Sequence, residues 1–183
     1  MKPQTGYLMK AITDAPMLNA KAVDAKGLFV LQLQKLAVNA LINPLTVIFH
    51  CKNGELAEPS NPNYLFIRRL QEAMIAEISA VFLTLEEIKG AAEKIREMFS
   101  TEGIRMSVQD VMWVTRENRS SMLQDVEKGR DTEVDWINGW VVKRGREVDL
   151  PCELNGTVVE LVKRGFPKEG EDLKALFRGC LRV

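Results

Sequence analysis

Residues 28–49, LFVLQLQKLAVNALINPLTVIF, constrain the fold more than any other stretch of the chain. Only Gln32, Gln34, Lys35, Asn39, Asn43, Pro44 and Thr46 are not apolar there. Wound as an α-helix, the segment puts Gln32, Lys35, Asn39, Asn43 and Thr46 within an arc of roughly 80°. A rod that is apolar nearly all round belongs inside a protein. A lysine and two asparagines buried with it must be hydrogen-bonded or charge-paired. The stripe therefore faces a buried polar network or a solvated pocket, and a pocket wall is the expectation. Pro44 has no N–H for the carbonyl of Ala40, so the helix is expected to kink or restart there. The freed carbonyl is then available to a polar ligand beside Asn39 and Asn43.

At 183 residues the chain is long enough for one ordinary domain. Lys plus Arg and Asp plus Glu number 25 each, so no net charge steers nucleic acid or an anionic membrane surface. Lys35, Pro44 and two asparagines argue against a membrane span for the long apolar stretch. The first twenty residues lack the apolar core of a signal peptide, and a cytoplasmic location is expected. Cys51, Cys152 and Cys180 are an odd, widely spaced set that suggests neither a disulfide framework nor a zinc site. With His50 as the single histidine, a histidine-based metal site or a Ser-His-Asp triad has little to draw on, and no metal ligands are assigned.

In order, residues 1–22 form an N-terminal segment with a short amphipathic piece over Tyr7 to Ile12 and a break at Pro16. A single helical domain is expected from residue 23 to residue 183. The apolar helix runs from about Val23 to Phe49, and Cys51 to Asn63 is a loop turning at Asn53-Gly54. Asn61-Pro62 reads as N-cap and first helical residue, and Ile67, Leu70, Met74, Ile78 and Val81 mark one buried face. Further helices are expected over Glu86 to Met98, from Val108 to Thr115, from Ser121 (capping box with Gln124) to Lys128, and from Thr132 (box with Asp135). The last of these carries the row Val134, Ile137 and Val141 beside Trp136 and Trp140. Another ends at Gly165, and a final one spans Glu171 to Arg178. With no alternating strand, the fold class is all-α, a multi-helix domain.

Three separated pieces carry unusual polar residues: the stripe, TRENRSSMLQD, and GRDTEVDWING. A lysine among apolar residues beside a carboxylate can protonate a developing alkoxide, while the carboxylate holds a hydroxyl or orients the lysine. Glu133, at a helix start, is placed to be kept ionised by that helix. The plainer account makes Glu133 a dipole-compensating surface charge and Ser121 a simple cap. Trp113, Trp136 and Trp140 are expected in the core, the alternative being the wall of an enlarged cavity.

KLAVNALINPLT (Lys35 to Thr46), KNGEL (Lys52 to Leu56), NRSSMLQDVEKGRDTEVDWINGWVV (Asn118 to Val142) and ELVKRG (Glu160 to Gly165) resemble the C-terminal domain of ketopantoate reductases, in wording nearest to fungal members. The likeness runs from about Thr5 to Gly165. It implies an all-helical domain, of the kind also found in 6-phosphogluconate dehydrogenase, that closes over an N-terminal Rossmann domain. There NADPH reduces the ketone of 2-dehydropantoate. The resemblance implies Lys35 as proton donor, Glu133 as its acidic partner, and Asn39, Asn43, Asn118 and Ser121 as substrate-site residues, with Asn53 in the same set.

The 12 glycines are scattered, and none forms the G-x-G-x-x-G that follows a strand in a dinucleotide cradle. No cofactor is therefore expected on this chain alone, and hydride transfer by it alone is not expected. Two alternatives stand beside a reductase domain that holds a small carbonyl substrate. One is a cofactor-independent enzyme that reuses the Lys35/Glu133 pocket for isomerisation or cyclisation. The other is a non-catalytic interaction module. An uncovered domain face also predicts a homodimer or larger.

Overall fold

Ile67, Leu70, Met74, Ile78 and Val81 recur on one side of a helical turn, and all five are fully buried in the computed structural model, which describes residues 3–167 and 172–181. The described chain divides into two compact units, Met1–Gln32 and Leu33–Val183. In the first, α1 (Pro3–Thr13) precedes a 3-10 turn at Pro16–Leu18. Tyr7, Leu8, Met9 and Ile12 are all exposed. The boundary falls inside α2 (Ala25–Ile48), which passes through Pro44 unbroken, so the proline does not restart the helix.

The second unit holds the rest of α2 and eight further helices among the described residues. They are α3 (Tyr64–Leu83), α4 (Glu86–Lys89), α5 (Glu93–Met98), α6 (Thr101–Val114), α7 (Ser121–Glu127), α8 (Val134–Glu147), α9 (Glu153–Arg164) and α10 (Leu173–Leu176). No strand occurs among the described residues, so the fold is all-α. Leu41, Leu45 and Ile48 of α2 are buried, as are the α3 row, Val134, Ile137 and Val141 of α8, and Val158 and Val162 of α9, and α3, α8 and α9 pack on one another. Although α2 is long and apolar enough to cross a membrane, over half of it is buried within the chain.

Several boundaries differ from the sequence reading for local reasons. α3 begins at Tyr64 because Asn61 is spent on the loop: its Oδ1 accepts from Asn63 N and its Nδ2 donates to the carbonyl of Glu55. The expected helix from Glu86 to Met98 is two short ones, parted at Gly90 to Ala92. α6 starts at Thr101 rather than Val108, since the Ser100 hydroxyl accepts from Gly103 N. A Cβ at Gly103 would lie 2.2 Å from the carbonyl oxygen of Glu97, so the tight approach of α5 to α6 demands glycine. Ser120, not Ser121, caps α7, and Glu133, not Thr132, is the N-cap residue of α8. The last helix is shorter than expected, and Glu171 lies outside the described residues.

Trp113 and Trp136 are not core residues, being 70% and 80% exposed. Trp140 packs edge-on against Phe82, with ring centroids 6.0 Å apart. Arg105 forks onto Glu72 through Nε (2.9 Å) and Nη2 (2.7 Å). Those hydrogen bonds, aided by the guanidinium charge, hold the Glu72 carboxyl below its usual range. The stabilisation is therefore present above the unfolded-state value and lost as pH falls through the folded one. Urea midpoints should decline through that acid window in the parent chain and decline less in Glu72→Gln. The difference stays within about 1 kcal/mol, because water screens the pair.

Candidate active site

The polar stripe on α2 runs from solvent into the core. Gln32 and Lys35 are exposed, Asn39 is half-buried, Asn43 is 7% exposed and Thr46 is fully buried. The expected burial of Lys35 is thus corrected. Before Ala37 only Val30 and Leu33 of α2 are buried while Leu31, Gln32 and Lys35 stay exposed, and an ammonium without a buried partner stays in water. At the inner end a relay of hydroxyls closes the stripe. Leu123 N–H donates to Ser120 Oγ (3.0 Å), Ser120 donates to Thr46 Oγ1 (2.6 Å), and Thr46 donates to the carbonyl of Asn43 (2.7 Å). This ties Asn43 to the start of α7, where Ser121 is exposed as the first helical residue.

The carbonyl that Pro44 strands is not left for a ligand. Asn138 of α8 donates Nδ2–H to the Ala40 oxygen at 2.8 Å. Asn138 is wholly buried, and its Nδ2 also donates to Asn155 Oδ1 (3.0 Å).

Asn53 and Asn118 are brought together by backbone. Asn53 N donates to the Asn118 carbonyl (3.0 Å) and Gly54 N to that of Arg116 (3.1 Å). A Cβ at position 54 would sit 2.6 Å from Arg116 Cβ, so the clip requires glycine. Asn53 is buried and donates Nδ2–H to Thr115 Oγ1 (2.9 Å), while its Oδ1 has no partner among the described residues. Asn118 is exposed. Beside the clip lies a hollow of about 330 Å³ lined by Lys52, Glu55, Gln109, Trp113, Arg116 and Glu117. Arg116 lies 4.9 Å over the Trp113 ring. Lys52 Nζ donates to Glu117 at 3.0 Å, and that hydrogen bond holds the Glu117 carboxyl below its usual range.

Glu133 is exposed at the N-terminus of α8 and makes no side-chain cap. Asp131, Thr132, Asp135, Trp136 and Lys163 line a hollow of about 480 Å³ beside it. No ion pair joins Lys35 to Glu133 among the described residues, and neither lines the two hollows above. The Asn138–Ala40 bond does join their helices. Lys35 lies five residues before Ala40 and Glu133 five before Asn138, each about 7.5 Å along its helix from the joint.

Thr46 belongs to the expected stripe, whereas the sequence reading assigned no site role to Ser120, Asn138 or Asn155. Asn138 carried a signal in the sequence: it lies on the same helical face as Val134, Ile137 and Val141, a polar residue in a buried row. The thiols are structural. Burial, with the charge of Glu55 adding, pushes Cys51 up to about 12, and burial beside Glu77 pushes Cys152 to about 11. At neutral pH both should resist a disulfide reagent until the chain unfolds, which a thiol titration with and without denaturant measures. No metal-holding group of three or more His, Cys, Asp or Glu residues occurs among the described residues. Among the described residues no strand–turn–helix cradle for a dinucleotide pyrophosphate occurs, and none of them is assigned to NADPH.

The fold is shared with about half of a solved D-mandelate dehydrogenase chain. The chain aligns over 90% of its length with 49% of a D-mandelate dehydrogenase solved with NADH and anilino(oxo)acetate, with a TM-score of 0.65 and 21% identity. The family described as "Ketopantoate reductase PanE/ApbA C terminal" matches residues 29–165, and this chain belongs to it. A 2-dehydropantoate 2-reductase of Salmonella typhimurium is 38% identical over 138 residues, covering 75% of this chain and 39% of the relative. A ketoisovalerate reductase of Beauveria bassiana is 29% identical over 192 residues, covering 88% and 41%. The chain thus spans about two fifths of the length of these curated relatives.

Proposed function

We propose that this chain is the substrate-holding, proton-donating part of an NADPH-dependent reductase of a branched 2-oxo acid, with 2-dehydropantoate as first candidate and 2-oxoisovalerate as second. Lys35 donates a proton to the carbonyl oxygen as negative charge develops there. Glu133 holds a substrate hydroxyl or orients the lysine. Asn39, Asn43, Asn53, Asn118 and Ser121 line the site, with the carboxylate and carbonyl of the acid among their natural hydrogen-bond partners. The hydride belongs to a dinucleotide-binding domain, and no residue described here is assigned to it.

One observation carries the reading. In a chain of this family, the polar stripe leaves the core at Asn39 and carries an exposed lysine with no ion-pair partner among the described residues. Such a surface is completed by something outside the chain. Two further features support it: the Asn53–Asn118 clip, and the hydrogen bond that joins the helix of Lys35 to the helix of Glu133. Titrating 2-dehydropantoate, 2-oxoisovalerate and acetate into the chain by calorimetry tests it. Saturable binding of a branched 2-oxo acid but not of acetate is expected. No binding of either oxo acid overturns the assignment.

The same reading includes self-association. Leu28, Leu31 and Trp136 present large exposed apolar groups, and surfaces of this kind are commonly covered. Light scattering at micromolar concentration should report a dimer or larger, and a monomer would remove this part.

A further inference from the structure

We propose that Asn138 is a positioning residue for this site, holding the Lys35 helix in one register against the Glu133 helix through the carbonyl that Pro44 leaves without a partner. The inference rests on the site reading above. It begins with the backbone. In the buried part of α2 each carbonyl oxygen accepts an N–H four residues on, except where that residue is proline. Ala40 is fully buried, so water is not at hand to replace the lost bond. Asn138 supplies the replacement from α8 at 2.8 Å.

The orientation of the Asn138 amide is dictated by its neighbours. The Ala40 carbonyl and Asn155 Oδ1 are both acceptors, so the NH2 group must face them. Asn155 is oriented in turn, since its Nδ2 donates to Glu77 Oε2 at 2.7 Å. A chain of three hydrogen bonds therefore crosses α3, α9, α8 and α2, all between buried or half-buried groups. Asn138 Oδ1 has no partner among the described residues, yet turning the amide over would set that oxygen against two acceptors, so the donor contacts fix one arrangement.

That arrangement selects a register. Sliding α8 along α2 by one helical turn, about 5.4 Å, sets Asn138 against a carbonyl already used and leaves Ala40 bare. The apolar residues around the joint would tolerate such a slip far better, because dispersion contacts do not select one rung. Lys35 and Glu133 are both exposed, each five residues before its own end of this joint, and no ion pair between them fixes their separation among the described residues. Their relative placement is inherited from Asn138, and positioning errors near 1 Å have large effects on a reacting geometry.

The test uses four forms of the full chain: parent, Asn138→Ala, Pro44→Ala and the double variant. Alanine at 44 restores the N–H that Ala40 lacks, which repairs the buried carbonyl without rebuilding the cross-helix bond. Each form is assayed by urea unfolding and by calorimetric Kd for 2-dehydropantoate. Asn138→Ala should weaken binding by about tenfold or more. In the double variant the unfolding midpoint should recover while the affinity stays low. A merely structural role predicts the opposite, with affinity recovering alongside stability, and that result overturns the proposal. Unchanged affinity in Asn138→Ala overturns it too. Should Asn138→Ala not fold, Pro44→Ala and the double variant give the same comparison. A parent chain that binds no 2-oxo acid sinks the site reading and this inference together. A parent that binds, with Asn138→Ala equal to it, sinks this inference alone.

Discussion

Glu77→Ala is expected to destabilise the chain by about 3 kcal/mol, among the largest losses from any single change of a polar side chain here. Helix α9 has Cys152 at its N-cap position, and no side chain of its own caps it. Glu77 reaches across from α3 instead. Its carboxylate accepts from Leu154 N (2.9 Å), Asn155 N (3.0 Å) and Asn155 Nδ2 (2.7 Å). The charge also sits at the positive end of the α9 dipole. Alanine leaves two backbone N–H groups and one amide in a half-buried place with nothing to receive them. Glu77→Gln keeps one carbonyl oxygen and should lose roughly half as much. Urea unfolding with an unchanged m-value measures both. A loss under about 0.5 kcal/mol in Glu77→Ala would show that this cap is dispensable.

Lys35→Ala is the second large effect, and it falls on chemistry rather than stability. The side chain is exposed and unpaired among the described residues, so its removal should move the unfolding free energy by no more than about 0.5 kcal/mol. As the proposed proton donor, its loss should lower turnover of the 2-oxo acid by about 10²–10⁴-fold once a dinucleotide-binding domain is supplied by fusion. Glu133→Gln keeps the shape and removes the charge, and should also lose turnover without unfolding the helix. Steady-state rates paired with melting curves separate the two quantities. Turnover unchanged in Lys35→Ala would strip that residue of its role.

The rows of apolar residues were the legible part of the fold. The α3 row from Ile67 to Val81 and the α8 row of Val134, Ile137 and Val141 are buried as their spacing requires. The start at Glu86 was right, while several other helix starts were misplaced, by as many as seven residues for α6. Neighbouring hydroxyls compete for a capping role, as Ser120 with Ser121 shows, and an expected cap such as Asn61 can be spent on the preceding loop instead. Lys35 was misjudged for a different reason. Helical periodicity gives the direction a side chain faces but not how far along the rod the cover on that side extends, and around Lys35 only Leu33 is buried until Ala37. The bond between Asn138 and Ala40 spans 98 positions, and no local pattern pairs them. Only the proline betrayed that a carbonyl near Ala40 would need help. The tryptophans illustrate the limit of composition, since Trp136 and Trp140 share a helix and only the second finds an aromatic partner.

A helix that keeps its course through a proline by borrowing a donor from another helix gives up its independence. The second half of α2 cannot open locally without also releasing the amide of Asn138, and α8 cannot loosen without exposing the Ala40 oxygen. In native-state deuterium uptake, residues 37–48 and 137–145 should therefore gain label together, as one cooperative block. Residues 25–36 of the same rod, largely uncovered, should label sooner.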